Sequence, residues 1–553
     1  MIHDLAQERP GALPAYDVCV VGSGPAGLTV AAELASSGLA LCVLESGRER
    51  VTPFADELRR VESEGIRIKP WSRERVLGGA SSTWAGLSSP LEPIELGARP
   101  WIGLEGWPLG RGDLDPFYAA AAARYRFPAA QAFGPAGFGR LREKGQHQPR
   151  WSALEEKLFL AAAPPQHFGR EQRALFESAR ADLWLDASVV KLEAERGVLR
   201  RARIRSSGGA ELVLEARAFV LATGGIENAR LLLVSGLGNE RGQVGRGLMN
   251  HPKNYHGVLQ LAAPVERLDY FFGCLWQGFA GYAGLRLSDR EQEERRVLDS
   301  YVRFEPLFPW FDSSGVESLV ALAKKSRVFL RRAEQQSQRE VVELRDYSET
   351  GDDSQLQNER KGAAGWLGLS WNVLRDAPRV SRYAWNRVVS RRRPRIRAVR
   401  LRNFLEMEPR PENRVELGKE RDAFGVPRPR VVHDLSALDK RSLVVLHEVL
   451  AREFERAGLG RLESALERTD PWPIDQDASH HMGTTRMGLD PARSVVDRDA
   501  RVHELENLYL AGASVFPSSG SANPTFTIVA LAIRLAAHLG ARLGAPARAE
   551  AAR

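Results

Sequence analysis

Residues 16–47 read YDVCVVGSGPAGLTVAAELASSGLALCVLESG, and the pattern of this stretch decides the fold. An apolar run of β character (Val18, Cys19, Val20, Val21) breaks at Gly22, Gly24 and Gly27. Small residues then open a helix, and a second apolar run, Leu41–Leu44, ends on Glu45. The glycines fit G-x-G-x-x-G, in which the first permits a tight turn, the second lets backbone approach a pyrophosphate and the third lets helix and strand pack closely. The helix N-terminus offers free N–H groups and the positive end of its dipole to phosphates. Glu45 falls about 20 residues on, where a carboxylate accepts ribose hydroxyls. A Gly-rich turn with only a structural role would leave Glu45 without a reason, so a bound dinucleotide is expected.

Beyond Glu45, the segment RVLGGASSTWAGLSSPLEP (75–93) is too small and polar to build a core, but it can let the chain pass tightly against a flat ligand. A helix is predicted over Asp113–Tyr125, a loop or lid over 127–148, and helical pattern again over Trp151–Ala162. From Ala181 a β-like meander leads into RAFVLATGGIENARLLLVSG, a second strand, glycine turn and helix, which VGRGLMNHP (244–252) closes. Residues 255–403 carry a β-like region with aromatics (Tyr270, Phe271, Phe272, Trp276, Phe279, Tyr282), a charged helix around 316–344, a polar loop over 348–361 and an arginine run. Strands are expected at 404–432 and a helix at 435–457. The segment NLYLAGASVFPSSGSANPTFTIVALAIRLAAHL (507–539) is a third strand, turn and helix, with Thr525 in the first helical turn. One sheet fed from three distant regions favours an FAD-type site over a plain nicotinamide one.

With 553 residues the chain can form two to four domains. The longest apolar stretches, such as 528–539, contain an arginine or are too short to span a membrane. The N-terminal MIHDLAQERPGALPAYD carries acids and a proline where an export signal needs an apolar core, so a cytoplasmic location is expected. Three cysteines, two of them in predicted buried strands, argue against a disulfide framework or a cysteine metal site. The net charge of +8 is concentrated in residues 375–402, where many arginines face the single acid Asp376. Such a run could touch a membrane surface, but a solvated helix face and loop is the preferred reading; nucleic-acid binding would rest on this run alone.

The ordered set of GSGPAG with Glu45, GGASST, ATGGIENARLL, VGRGLMNHP, HHMGTTRMG and LAGASVFPSSGSANPT resembles the glucose-methanol-choline (GMC) family of flavin oxidoreductases, most nearly its pyranose and glycoside oxidase branch. The resemblance implies an α/β fold with a discontinuous Rossmann-like FAD-binding domain (1–110, 181–254 and 475–553), a lid or insertion (111–180) and a substrate domain (255–474) with a mainly antiparallel sheet backed by helices. It also implies an alcohol substrate and an electron acceptor, whether oxygen, a quinone or a protein. The candidate cofactor contacts are Gly22, Gly24, Gly27, Glu45, Gly79, Ser82, Thr83, Val189, Gly512 and Thr525. Some members attach FAD through a histidine beside the tryptophan that corresponds to Trp84; here that neighbour is Thr83, so non-covalent FAD is expected.

Alcohol oxidation removes a hydroxyl proton and a carbon-bound hydride, so the protein must supply a base. The family register places that base on His480, with His481 beside it as the rival, and the partner on Asn523, whose amide can donate to an alkoxide-like oxygen. His251 and His503 read as structural, in a turn and at a sheet edge. The substrate expected is a secondary alcohol of a sugar or glycoside. The rivals are a lipid-like alcohol taken at a membrane surface and a lyase or light-driven decarboxylase on the same fold.

Overall fold

The computed structural model describes residues 1–8, 10–134, 149–162, 164–178, 180–265, 274–276, 279–308, 310, 313–325, 363–386, 395–474 and 477–544. After a short strand β1 (Ile2–Asp4), the opening motif folds as β2 (Tyr16–Val21), α1 (Pro25–Leu34) and β3 (Leu41–Leu44). β2 and β3 lie parallel with Cys19 opposite Cys42, and all of β3 and all of β2 but Asp17 are buried. Continuous apolar runs of this kind belong to parallel strands covered on both faces.

The parallel sheet runs in the order Leu508–Leu510 (β16), Glu211–Leu221 (β8), β2, β3, Asp182–Leu185 (β5) and β1. The first half of β8 pairs antiparallel with Val198–Arg205 (β7), and β7 pairs with Ser188–Glu195 (β6), so one long strand belongs to both the meander and the parallel sheet. Helix α3 (Gly225–Ser235) follows β8, and α8 (Thr525–Leu543) follows β16. α1 and α2 (Arg111–Tyr125) both pack on α8. By length and composition α8 could cross a membrane, but more than half of its apolar stretch is buried inside the protein, where Phe526, Val529, Ile533 and Leu539 join the core.

A second sheet is antiparallel throughout: Cys274–Trp276 (β11), Phe279–Leu287 (β12), Ser300–Pro306 (β13), Ile396–Leu405 (β14), Val258–Val265 (β10) and Gly460–Glu463 (β15). Leu154–Ala162 (β4) pairs with β12, and Lys253–Asn254 (β9) with β14. Helix α7 (Ala437–Arg456), started by a Ser436–Asp439 capping box, covers one face; Leu443, Leu446, Leu450 and Phe454 pack there with Val302, Phe304 and Leu401. Between β13 and β14 lie α4 (Ser314–Lys325), α5 (Ala363–Arg375) and α6 (Ala377–Trp385), which pack on one another. The fold is mixed α/β, a parallel Rossmann-like sheet beside an antiparallel one.

Two sequence expectations need correction. Trp151–Ala162 is not helical: the buried run Leu158–Ala162 belongs to strand β4, which has nine residue pairs with β12. A short apolar run does not separate strand from helix by periodicity, and long-range pairing decides. The arginine run is not wholly a solvated helix and loop, because β14 begins at Ile396, ahead of the predicted Phe404, and Arg402 is 1% exposed. The 111–180 stretch contributes to both bodies, through α2 on α8 and through β4 in the second sheet. The polar loop over 348–361, the lid segment beyond 134 and the charged helix beyond 325 lie outside the described residues.

Candidate active site

A cavity of ≈750 Å³ opens between the two sheets, large for a bound small molecule. Its nucleotide end is backbone. Gly22 (φ +103°) turns the chain where a Cβ would lie 2.6 Å from the Ala222 carbonyl oxygen. A Cβ on Gly27 would lie 2.0 Å from the Gly22 oxygen, so this glycine serves helix–strand packing and is not in the cavity wall. Gly24, at the start of α1, lines the cavity, and a Cβ there would meet nothing within 4 Å. Glu45 is 5% exposed and lines the same end; its carboxylate accepts from the Ser23 N–H (3.1 Å), the Ser23 hydroxyl (2.6 Å) and the Gly47 N–H (2.7 Å). Gly79, Thr83, Val189, Gly512 and Thr525 are also in the wall. Ser82 is not: it is exposed, and its hydroxyl donates to the Gly79 carbonyl (2.9 Å) within its own turn.

The start of α3 contributes Glu227, which meets Arg73, Arg75 (3.1 Å) and Arg230 (3.2 Å), while Arg230 also reaches Asp422 (2.6 Å). Burial opposes the charge on Glu227, but Arg230, Arg75 and Arg73 hold its carboxyl down at about 2.

At the other end stand His480, His481, Asn250, His251 and Asn523. The Nδ1 atoms of His251 and His480 are 2.9 Å apart, and His251 Nε2 is 2.9 Å from the Gly520 carbonyl oxygen. A carbonyl can only accept, so His251 carries its proton on Nε2. Burial holds His251 below its ordinary range and therefore neutral, which leaves its Nδ1 as an acceptor. His480 must then donate through Nδ1, and its Nε2 keeps a lone pair. Burial, followed by His251, His481, Lys253 and Lys69, holds the His480 imidazole well below its ordinary range. This tautomer is assigned from the hydrogen-bond pattern. The Asn250 Oδ1 accepts from the His480 backbone N–H (3.2 Å). His251 is thus part of the site, not merely a turn residue, whereas His503 bonds Ser494 (2.9 Å) outside the cavity wall.

The loop bearing Asn523 is tied down from behind. Lys157 on β4 donates to Glu95 (2.8 Å) and to the Ser521 hydroxyl (2.7 Å), the Ser521 N–H donates to Glu95 (2.6 Å), and the Ser521 hydroxyl reaches Asp299 (2.7 Å). Lys157 and Glu95 are each no more than 1% exposed. Alternation on the antiparallel sheet builds the rest of the wall: Tyr301 and Arg303 on β13 face the same way as Arg402 and Phe404 on β14, with Tyr301 opposite Phe404 and Arg303 opposite Arg402. Tyr282 of β12 and Lys253 of β9 complete it.

Compared with known proteins, residues 409–532 match the GMC oxidoreductase model and residues 15–55 an FAD binding domain model. The chain belongs to the GMC oxidoreductase family. This GMC oxidoreductase is 24% identical to paromamine 6'-oxidase of Streptomyces fradiae over 94% of its own length and 90% of that protein's. It is 39% identical to the C-glycoside 3-oxidase of Arthrobacter globiformis, over 20% of its length and 21% of that protein's. The crystal structure of pyridoxine 4-oxidase from Mesorbium loti superposes with a TM-score of 0.55 at 16% identity, covering 94% of this chain and 98% of that one, a likeness of fold.

The GMC enzyme oxidises alcohol groups and uses FAD as cofactor. The cavity suits that group. α1, α3 and α8 present their N-terminal ends to it, and buried polar atoms of wall residues, among them Ser188 Oγ, Asn250 Nδ2 and His481 Nε2, have no hydrogen-bond partner among the described residues. Sequence reasoning missed Asn250, Lys253, Tyr282, Tyr301, Arg303, Arg402 and Phe404. The available signals were the MNHP neighbours of Met249–Pro252 and the alternation of aromatic and arginine side chains in SYVRFEP and RLRNFL.

Proposed function

We propose that this GMC oxidoreductase oxidises a secondary alcohol of a sugar or glycoside to a ketone, with His480 as the base. The observation that carries the reading is the His251–His480 pair, which leaves a lone pair on His480 Nε2 in the cavity wall shared with Asn523. The substrate hydroxyl gives its proton to that nitrogen, and the Asn523 amide donates to the oxygen as negative charge builds on it. FAD, which Gly22, Gly24, Glu45 and the N-terminal ends of α1, α3 and α8 would hold, would supply the two-electron chemistry that side chains lack, as acceptor of the carbinol hydride, with oxygen, a quinone or a protein as the final electron acceptor. His481, in the same wall, is held at about 3 by burial, Arg73 and His433, and serves as a neutral contact. Sugar chemistry draws support from relatives named C-glycoside 3-oxidase and pyranose 2-oxidase.

Anaerobic mixing with sugars, glycosides and simple alcohols tests the reading: a secondary sugar alcohol should bleach the flavin absorbance, and a panel that leaves it unchanged contradicts it. FAD is held without a covalent bond at position 83, where Thr83 offers only a hydroxyl that donates to the Trp71 carbonyl (2.8 Å). Acid precipitation should therefore release all the yellow colour.

A second reading, a lipid-like alcohol taken at a membrane surface through the arginine region, is favoured by one feature. Trp366, Leu367, Trp371 and Leu374 form one exposed stripe on α5, opposite Leu369 and Asn372, which face the packed side; Trp385 is exposed at the end of α6. Flotation with anionic liposomes of phosphatidylglycerol and phosphatidylcholine checks it. Protein left at the bottom of the gradient removes this reading and leaves the first intact.

A further inference from the structure

The loop that carries Asn523 also carries a peptide group bonded at both ends. The Gly520 carbonyl oxygen lies 2.9 Å from His251 Nε2, and the N–H of the same peptide, on Ser521, donates to Glu95 Oε1 (2.6 Å). One peptide therefore joins a buried carboxylate to the His251 ring, and His251 Nδ1 leads on to His480 Nδ1 (2.9 Å). With the tautomers assigned above, every donor in this chain points the same way: His480 to His251, His251 to Gly520 and Ser521 to Glu95. Hydrogen bonds in line polarise one another, so a fixed negative end strengthens each link back to the open Nε2 of His480.

Gly520 lets the loop come this close. Its φ is +54°, and a Cβ there would stand 2.8 Å from the Glu95 carboxyl carbon and from its Oε1. Glu95 is 1% exposed and lies outside the cavity wall. Burial opposes its charge, but Lys157 and the N–H groups of Ser521 and Glu92 hold its carboxyl well below the usual range. The two rings also differ in their surroundings. Burial disfavours a cation on either one. Against burial, the Gly520 backbone, Glu95, the Ser519 backbone and Glu406 all favour a cation on His251, although Glu95 is shared with Lys157 (2.8 Å) and Glu406 with Arg99 (2.7 Å). On His480 the further neighbours, His251, His481, Lys253 and Lys69, add to the effect of burial.

We propose that the proton taken from the substrate alcohol comes to rest on His251, with His480 as its carrier and Glu95 as the fixed anion at the end of the chain. This inference rests on the base reading above and adds the destination of the proton. The alcohol O–H bond breaks as His480 Nε2–H forms, and the His480 Nδ1–H bond breaks as His251 Nδ1–H forms. His480 ends neutral with its proton on Nε2, and His251 ends as an imidazolium bonded to the Gly520 carbonyl. The oxygen keeps the electron pair of its O–H bond, which closes the C=O bond as the carbinol hydride departs; the alcohol is oxidised, and FAD would be the group reduced. His251 acts through His480 and Glu95 through His251, so both are positioning residues.

The test uses the FAD-loaded enzyme with its histidines labelled with 15N. In a titration from neutral to acidic pH, read from the ring nitrogens by NMR, His251 should gain a second proton before His480, the two being assigned by signal loss in His251→Gln and His480→Ala. A second proton that appears first on His480 overturns the proposal. Rates give an independent readout, with D-glucose and methyl β-D-glucopyranoside as probes of anaerobic flavin reduction. His251→Gln keeps an acceptor for His480 Nδ1–H and an N–H for Gly520, so it preserves the tautomer but cannot take the proton; it should slow reduction about 10-fold, as much as His251→Phe. Near-native reduction by His251→Gln beside a slow His480→Ala overturns the relay and keeps the base. Near-native reduction by His480→Ala overturns the base reading itself. If neither probe bleaches the native flavin, the sugar reading loses its support and the titration alone decides where the proton rests. Glu95→Gln made together with Lys157→Met, which leaves neither charge without the other, should weaken the preference for His251; an unchanged titration overturns the part given to Glu95.

Discussion

The two ends of the cavity are made of different material. The nucleotide end is backbone: a left-handed Gly22, an open Gly24 and three helix N-termini, each set by residues within a few positions of one another. The substrate end is side chains on an antiparallel face, where Tyr301 meets Phe404 and Arg303 meets Arg402 across about 100 residues of sequence. Local geometry can hold a cofactor common to a family, because it barely depends on which side chains surround it. Long-range register allows the substrate end to change its chemistry one side chain at a time without disturbing the fold.

The sharpest way to break this contrast is to cut the link between the ends. Lys157→Met leaves Glu95 buried without its lysine and Asp299 with Arg286 alone, and should cost about 3–5 kcal/mol of stability in denaturant unfolding. An unchanged midpoint would mean that the network does not fasten the Asn523 loop. Gly27→Ala places a methyl 2.0 Å from the Gly22 oxygen and should cost about 1–3 kcal/mol together with much of the bound flavin, whereas a cavity residue such as Tyr282→Phe should retain its flavin. The ratio of flavin to protein after purification checks both.

At the substrate end, His251→Phe keeps a ring but removes the acceptor that fixes the His480 tautomer, and should slow anaerobic flavin reduction about 10-fold while FAD stays bound. Unaltered reduction would show that the tautomer is set by another group. The smallest effect is in pH. Burial holds His447 and His481 at about 3 and His433 at about 4, below the unfolded value of about 6.5, so the unfolded chain binds more protons between those limits. Stability from these groups should be complete above pH 6.5 and fall steadily as the pH drops from there towards 4, visible as a declining thermal midpoint.

Legibility in the sequence followed the same division. The strand–glycine–helix units at 16–47, 219–234 and 507–539 were readable because each signal is local, and the structure forms all three. β4 was misread because its buried Leu158–Ala162 gains meaning only from β12, more than 100 residues away. Arg402 sat in a run that looked solvated, and only the pairing with β13 turns it into the cavity. His251 seemed a turn residue because its partner is 229 positions distant. Ser82 followed the Gly79 turn and faces away from the cavity, since a pattern of small residues does not say which hydroxyl points at a ligand.

His480 acting as base beside the flavin is the claim on which the chemistry depends, and one comparison addresses it directly. Anaerobic stopped-flow reduction of His480→Ala should show a full complement of FAD with an ordinary oxidised spectrum, and reduction by substrate at least ~100-fold slower than in the native enzyme. Reduction within a few-fold of the native rate would contradict it and move the proton to another residue, His481 first.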